Sequence, residues 1–168
     1  LSPTLFAKFG IIDDHDIVFY LGPALNLNLR GLFDLIQKHA FSSEWGQFQP
    51  LYFIPHFIEV FLEGHRPEVW HGVRIIMAII TACFIFASLR LFLPIMLSAI
   101  CTLYFFSGFH SVVWLNICLA ETYGYLFFYP GFFLVLYSIK KLKGRKQINT
   151  AQIGFILISS AGWVKTSF

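Results

Sequence analysis

Two long stretches of this chain are nearly free of charge. Between Arg74 and His110 the only charged residue is Arg90, and between Glu121 and Lys140 there is none. A membrane crossing takes about 20 mostly apolar residues, so either stretch can supply one. Residues 75–109 are too long for a single crossing, about 52 Å as one helix against a hydrocarbon core of about 30 Å. Arg90 and Pro94 mark the break. The pattern predicts a tight hairpin of two spans, 74–89 and 92–109, with Arg90 snorkelling at the turn. A third span is predicted over 123–139, with Tyr123 and Tyr125 at one end and Tyr137 at the other, where an aromatic belt places such residues. The basic run KKLKGRK follows, and a fourth span covers 148–164.

Residues 1–73 are patterned differently. In LNLRGLFDLIQKHAF, Leu29, Leu32, Phe33 and Ile36 recur at helical spacing, with Arg30, Asp34, Gln37 and Lys38 opposite. In FIPHFIEVFLEG, Phe53, Ile54, Phe57, Ile58, Phe61 and Leu62 form one broad face. Glu59 and Glu63 lie one turn apart on another, and Gly64 closes the segment as a C-cap. Amphipathic helices beside a membrane span lie flat in the interface and can wall a cavity there. The expected fold is all-α and polytopic. Residues 1–73 form an outer loop with an acidic motif and two interfacial helices, and 74–168 form the transmembrane bundle.

Composition agrees with that layout. Hydrophobic residues make up 57% of the 168 and charged residues only 12%, where a soluble domain carries about 25% charged. Charge also sorts by side. Arg90, Lys140, Lys141, Lys143, Arg145 and Lys146 fall on one side with no acid, while all nine acidic residues fall within 1–73 and 110–122. The positive-inside rule makes the basic side cytoplasmic. The basic run reads as a topology anchor rather than a lipid-headgroup or nucleic-acid site. Cys83 and Cys101 lie within spans and Cys118 near a membrane face, which gives neither a disulfide framework nor a zinc site. The chain begins at Leu1, its first methionine is Met77, and an apolar run reaches almost to Phe168. It reads as a fragment of a longer protein, with any signal peptide lying before Leu1.

Against that apolar background, Asp13, Asp14, His15 and Asp16 stand in a row. Three readings compete. The plainest is an acid-rich helix start, stabilised by the helix dipole. Adjacent carboxylates with a histidine also suit Mg²⁺ or Mn²⁺, with His15 and Asp16 completing the ligand set. The third is a general base that takes a proton from an acceptor hydroxyl, and carboxylates beside apolar helices have the raised proton affinity that suits it.

The order of motifs resembles the GT-C superfamily of integral-membrane glycosyltransferases. Bacterial members carry an Asp-Asp-His-Glu-like motif, then an Arg-Phe-Arg-Pro-Leu-Tyr-like stretch, then a Trp-His pair before the next span. Here those positions hold Asp13-Asp14-His15-Asp16, Gln47-Phe48-Gln49-Pro50-Leu51-Tyr52 and Trp70-His71, with Glu121 at the outer end of a later span. The resemblance covers most of residues 8–125. It implies transfer of a sugar from a polyprenyl-phosphate donor to an acceptor at the outer face of a bacterial inner membrane. Asp13 would be the base and Asp14 its partner, with membrane lipids as surroundings and no nucleic acid involved.

One departure matters. Gln47 and Gln49 stand where the pattern has arginines, so donor phosphate would fall to Arg66 and Arg74, with His56, His65 and His71 as weaker candidates. Each has a plainer reading. Arg74 reads as an interfacial anchor, Arg66 as a solvated loop charge, the histidines as structural, and Trp70 and Trp114 as belt residues. Three other classes compete with the enzyme: an accessory subunit of a membrane complex, a transporter of lipid-linked intermediates, and a pseudoenzyme of the same fold. The transporter ranks lower, because residues 75–89, 92–109 and 123–139 hold no ionisable residue deep in a span.

Overall fold

The computed structural model describes residues 15–22, 26–40, 49–107, 113–114 and 119–164. Among them the regular elements are all helical. They are α1 (His15–Leu21), α2 (Leu29–Leu35) running into a π-turn (Ile36–Ala40), α3 (Pro50–Glu63), α4 (Pro67–Arg90), α5 (Ile95–Ser107), α6 (Ala120–Lys141) and α7 (Gly144–Gly162).

The first three helices build one core, in which Ile17, Leu21, Leu27, Leu32, Phe57 and Val60 pack with Trp70 from the second turn of α4. Their buried faces differ from the predicted ones. On α2, Leu32 is buried, but Leu29 and Phe33 are more than 60% exposed, and His39 and Ala40 are buried instead. Asn28 caps the helix by accepting from Gly31 N at 2.7 Å, and the wider π-turn then rotates the following residues inward. On α3, His56, Phe57, Val60 and Glu63 are buried while Ile58 and Leu62 face out. Two of those inward residues, His56 and Glu63, are polar, and Glu59 on the same helix reaches Arg74 of α4 and Tyr123 of α6. Gly64 does close the helix, with φ +58° and its N–H donating to Val60 O.

The four later helices stack in a definite order. Arg74 meets Tyr123 at one end of α4 and α6, Phe84 meets Phe133 midway, and Lys140 sits over Phe92 at the other end. These contacts keep a near-constant sequence offset, so α4 and α6 run parallel and touch directly, and α5 returns beside them with Phe105 against Tyr125 and Tyr129 of α6. The turn falls where expected. Phe92 N and Leu93 N donate to Leu89 O, Arg90 Nη1 donates to Leu93 O at 2.7 Å, and Pro94 has no N–H to continue the helix. α6 and α7 are antiparallel and touch backbone to backbone. A Cβ on Gly131 would lie 2.6 Å from Gly154 O, and one on Gly154 would lie 2.7 Å from Gly131 O.

Helix limits move relative to the predicted spans. α4 starts at Pro67, seven residues before the last charge, because proline at its first position suits helix entry. α7 begins inside the basic run, after a two-residue link, with Gly144 at φ +62°. Of the four predicted spans, α4 (24 residues) and α6 (22 residues) are long and apolar enough to cross a membrane. α5 is a shorter apolar helix of 13 residues, and α7 carries Arg145, Lys146, Gln147 and Asn149 in its first two turns.

Much of the apolar surface of these helices is uncovered among the described residues. Only 22% of the apolar window of α4 or of α6 is buried, so neither is the covered core of the described residues. Inward positions include Thr81, Ser88, Ser98, Thr102, Thr122, Ser138, Gly131 and Gly154 beside the larger Trp70, Arg74, Ile85 and Tyr123, while Ile76, Ile79, Met96, Leu103, Phe155 and Ile156 face outward. Several buried hydroxyls bond back to their own helix, as Thr102 Oγ1 does to Ser98 O at 2.8 Å and Ser88 Oγ to Phe84 O at 2.8 Å. Among the described residues these helices thus turn small and hydroxylated side chains toward one another and many large aliphatic ones away.

Candidate functional site

Arg74 is the centre of the site. One turn into the apolar part of α4, its guanidinium needs a counterion, and α3 supplies it. Nη2 lies 2.7 Å from Glu59 Oε2 and Nη1 lies 3.3 Å from Glu59 Oε1, a bidentate pair. Nη2 also donates to Tyr123 Oη of α6 at 3.0 Å, and the Tyr123 hydroxyl donates to Glu59 Oε2. The Arg74 side chain is fully buried, and its charge lies 4.9 Å from the Tyr123 ring and 5.9 Å from the Trp70 ring. Three helices are thus fastened at one point.

Aromatic rings continue the cluster. Tyr52 packs edge-on against Tyr123 at 5.7 Å and stacks on His56 at 5.2 Å, and His56 lies 5.7 Å from Trp70. The Trp70 indole donates to Gly64 O at 2.9 Å, fixing the corner between α3 and α4. Trp70 is therefore a buried staple, not a belt residue. Trp114 is buried as well, stacked on Phe106 and against Tyr125.

Of the residues predicted to bind or catalyse, the structure brings Tyr52 and Arg74 into this one cluster. Gln49 is buried at the N-cap of α3, its carbonyl accepting from Tyr52 N and Phe53 N at 3.0 Å. His71 is buried, with no hydrogen-bond partner for either ring nitrogen among the described residues. Arg66 lies apart at the α3–α4 corner, where it donates to Glu63 O at 3.5 Å. There it lines a polar cavity of about 510 Å³ with Asn26, Glu63 and His65. Glu121 stands in the first turn of α6. Asp13, Asp14 and Gln47 lie outside the described residues, and for His15 and Asp16 the description is of the backbone of the first turn of α1. No cluster of three or more His, Cys, Asp or Glu able to hold a metal ion occurs among the described residues.

Glu59, Glu63 and Tyr123 are the partners that sequence reasoning did not assign to the site, and His56 entered it only as a weaker candidate for the donor phosphate. A signal for the first was present: an arginine at the head of an apolar helix demands an acid, and Glu59 and Glu63 are the acids on the amphipathic segment just before it.

Two α3 groups titrate abnormally. Burial, helped by the Arg74 charge, holds His56 down at about 3, so its imidazole stays neutral. Burial and the neighbouring Glu59 charge push Glu63 up to about 7, against the opposing pull of Arg74 and Arg66. The two act on stability in opposite senses. The His56 contribution is complete above its usual 6.5 and is lost as pH falls toward 3. The Glu63 contribution is complete below its usual 4.5 and is lost as pH rises toward 7. Stability, followed as melting temperature, should therefore run nearly level with pH between these usual values, and below the lower one the unfolding free energy should fall by about 1.4 kcal/mol per pH unit for one proton. His56→Leu should flatten the acid limb, and an unchanged limb in that variant would exclude His56 as its source.

Comparison with protein families, with curated proteins and with solved structures finds no match to this chain.

Proposed function

We propose that this chain is part of a polytopic membrane glycosyltransferase of the GT-C type, moving a sugar from a polyprenyl-phosphate donor to an acceptor at the outer membrane face. The observation that carries the reading is the attachment of α1–α3. They form one packed unit tied by Glu59, Arg74 and Tyr123 to the acidic ends of two long apolar helices. The segment Asp13–Asp16 leads directly into α1, whose Ile17 and Leu21 belong to that core.

The charge distribution supports the orientation. Glu59, Glu63 and Glu121 gather at one end of α4 and α6, while Arg90, Lys140, Lys141, Lys143, Arg145 and Lys146 are exposed at the other. The positive-inside rule then puts residues 1–73 and 110–122 outside and 140–147 in the cytoplasm.

In the proposed reaction the acceptor oxygen attacks the anomeric carbon, and its proton passes to Asp13. The bond from that carbon to the phosphate oxygen breaks. Polyprenyl phosphate leaves with the electron pair, and configuration inverts. Arg74 is already held by Glu59, so in this reading Arg66, with its polar cavity, takes the leaving phosphate. Arg74 serves the site by holding α3 in place. A Mg²⁺ or Mn²⁺ ion at His15 and Asp16 remains part of the proposal, and no step above depends on it.

The test is turnover. Membranes holding the full-length protein, given polyprenyl-phosphate-linked sugars, should release polyprenyl phosphate and label an acceptor in a protein-dependent way. Intact donor with every sugar supplied would favour the accessory-subunit reading, which draws on the Phe-rich, low-charge composition, or the pseudoenzyme reading, which draws on the uncharged Gln47 and Gln49.

A further inference from the structure

The polar cavity at the corner between α3 and α4 measures about 510 Å³, within the range of small-ligand sites. Two ionisable side chains share its wall. Glu63, the last residue of α3, is only 7% exposed, and its Oε2 has no hydrogen-bond partner among the described residues. Arg66, three residues on, is exposed. Its Nε turns back on Glu63 O at 3.5 Å, and its two terminal nitrogens make no hydrogen bond among the described residues. The carboxyl and the guanidinium form no ion pair with each other. Asn26 and His65 add polar groups to the wall, and Phe61 and Leu62 give it an apolar flank.

The ligand that suits both side chains follows from their protonation. Burial, together with the Glu59 charge one turn earlier, keeps the Glu63 proton in place up to about 7, against the pull of Arg74 and Arg66. His65 is the other titratable group on the wall. Below neutrality Glu63 therefore presents an O–H, and Arg66 has donors only. Two unspent donors beside one cavity call for an oxyanion, which a carboxylic acid, unlike a carboxylate, does not repel. Arg66 disfavours a cation there, and covering it with an apolar helix would bury an unpaired charge. We propose that the cavity binds a phosphate ester between these two donors, Arg66 as the cation and Glu63 as the uncharged acid, so that binding requires the Glu63 proton. The proposal rests on the reading that places the donor phosphate at Arg66, and adds to it a second phosphate ligand from α3.

The experiment is calorimetric titration of the full-length protein in detergent with geranyl phosphoglucose, a phosphodiester of fixed charge, at about pH 5.5 and about pH 8.5. Binding to the protonated form alone should make wild-type affinity about tenfold or more weaker at the higher pH. Glu63→Gln keeps a neutral donor that cannot ionise, and should bind equally well at both. Arg66→Gln, altered at an exposed side chain, should lose binding at both with an unchanged melting temperature. Histidines lose charge over the same interval, so His65→Gln is the control and should retain the pH dependence. Equal wild-type affinity at the two pH values, wild-type pH dependence in Glu63→Gln, or its loss in His65→Gln would each overturn the assignment. Dimethyl phosphate should bind about tenfold more weakly than the geranyl ester, since it has no chain for Phe61 and Leu62. Equal binding would overturn the lipid-linked source and leave a site for soluble phosphate esters. The expected pH-dependent binding without any sugar transfer would support the phosphate site and refute the transferase reading alone.

Discussion

Asp13→Asn is expected to lower sugar transfer by about two to four orders of magnitude, the usual contribution of a positioned base. Asparagine keeps the size and hydrogen-bonding capacity of the side chain but cannot accept the acceptor's proton. Membrane insertion and abundance should stay at wild-type levels, because the core that fixes α1 begins beyond the motif, at Ile17. Transfer at the wild-type rate by this variant would remove Asp13 from the mechanism. Restored activity at high pH, where the acceptor ionises without help, would support the base assignment further.

The second large effect belongs to Arg74. Arg74→Leu would leave the Glu59 carboxylate and the Tyr123 hydroxyl in a closed site without their cation. Removing one partner of a buried pair costs about 3–5 kcal/mol, mainly because the other charge is left uncompensated. The expected result is a lower melting temperature in detergent and faster proteolytic cutting around the α3–α4 corner. Glu59→Leu combined with Arg74→Leu should recover most of that stability, since apolar residues of similar volume replace a buried pair at little cost. The four proteins form a double-mutant cycle that isolates the coupling. If the double variant is as unstable as the sum of the single losses, the pair is not what holds α3 to the bundle. Activity separates the roles further. In the proposed arrangement the double variant keeps donor affinity, whereas loss of donor binding with stability restored would make Arg74 a phosphate ligand.

Much of this architecture is legible in the sequence because lipid and backbone chemistry act locally. Charge-free stretches mark helices that can lie in an apolar medium. Arg90 and Pro94 stop one, Gly64 closes another, and the lysine run sets one end apart from the acids. These are properties of a residue and its near neighbours, so a one-dimensional reading reaches them. Helix limits were less accessible, since Pro67 and Gly144 begin helices several residues before the apolar pattern does.

The inward faces of α2 and α3, and the partners of Arg74, were decided only in three dimensions. Apolar spacing turns Ile58 and Leu62 inward and Glu63 outward, and the structure does the reverse. The reason is energetic. An arginine at the head of an apolar helix costs more unpaired than two aliphatic side chains cost exposed, so α3 rotates until Glu59 reaches it. Tyr123 enters the same cluster from 49 residues further along the chain, because α4 and α6 pack in parallel. Local pattern thus determined which segments are helices and where their charges lie, whereas the need to neutralise one buried cation determined how α3 meets α4 and α6.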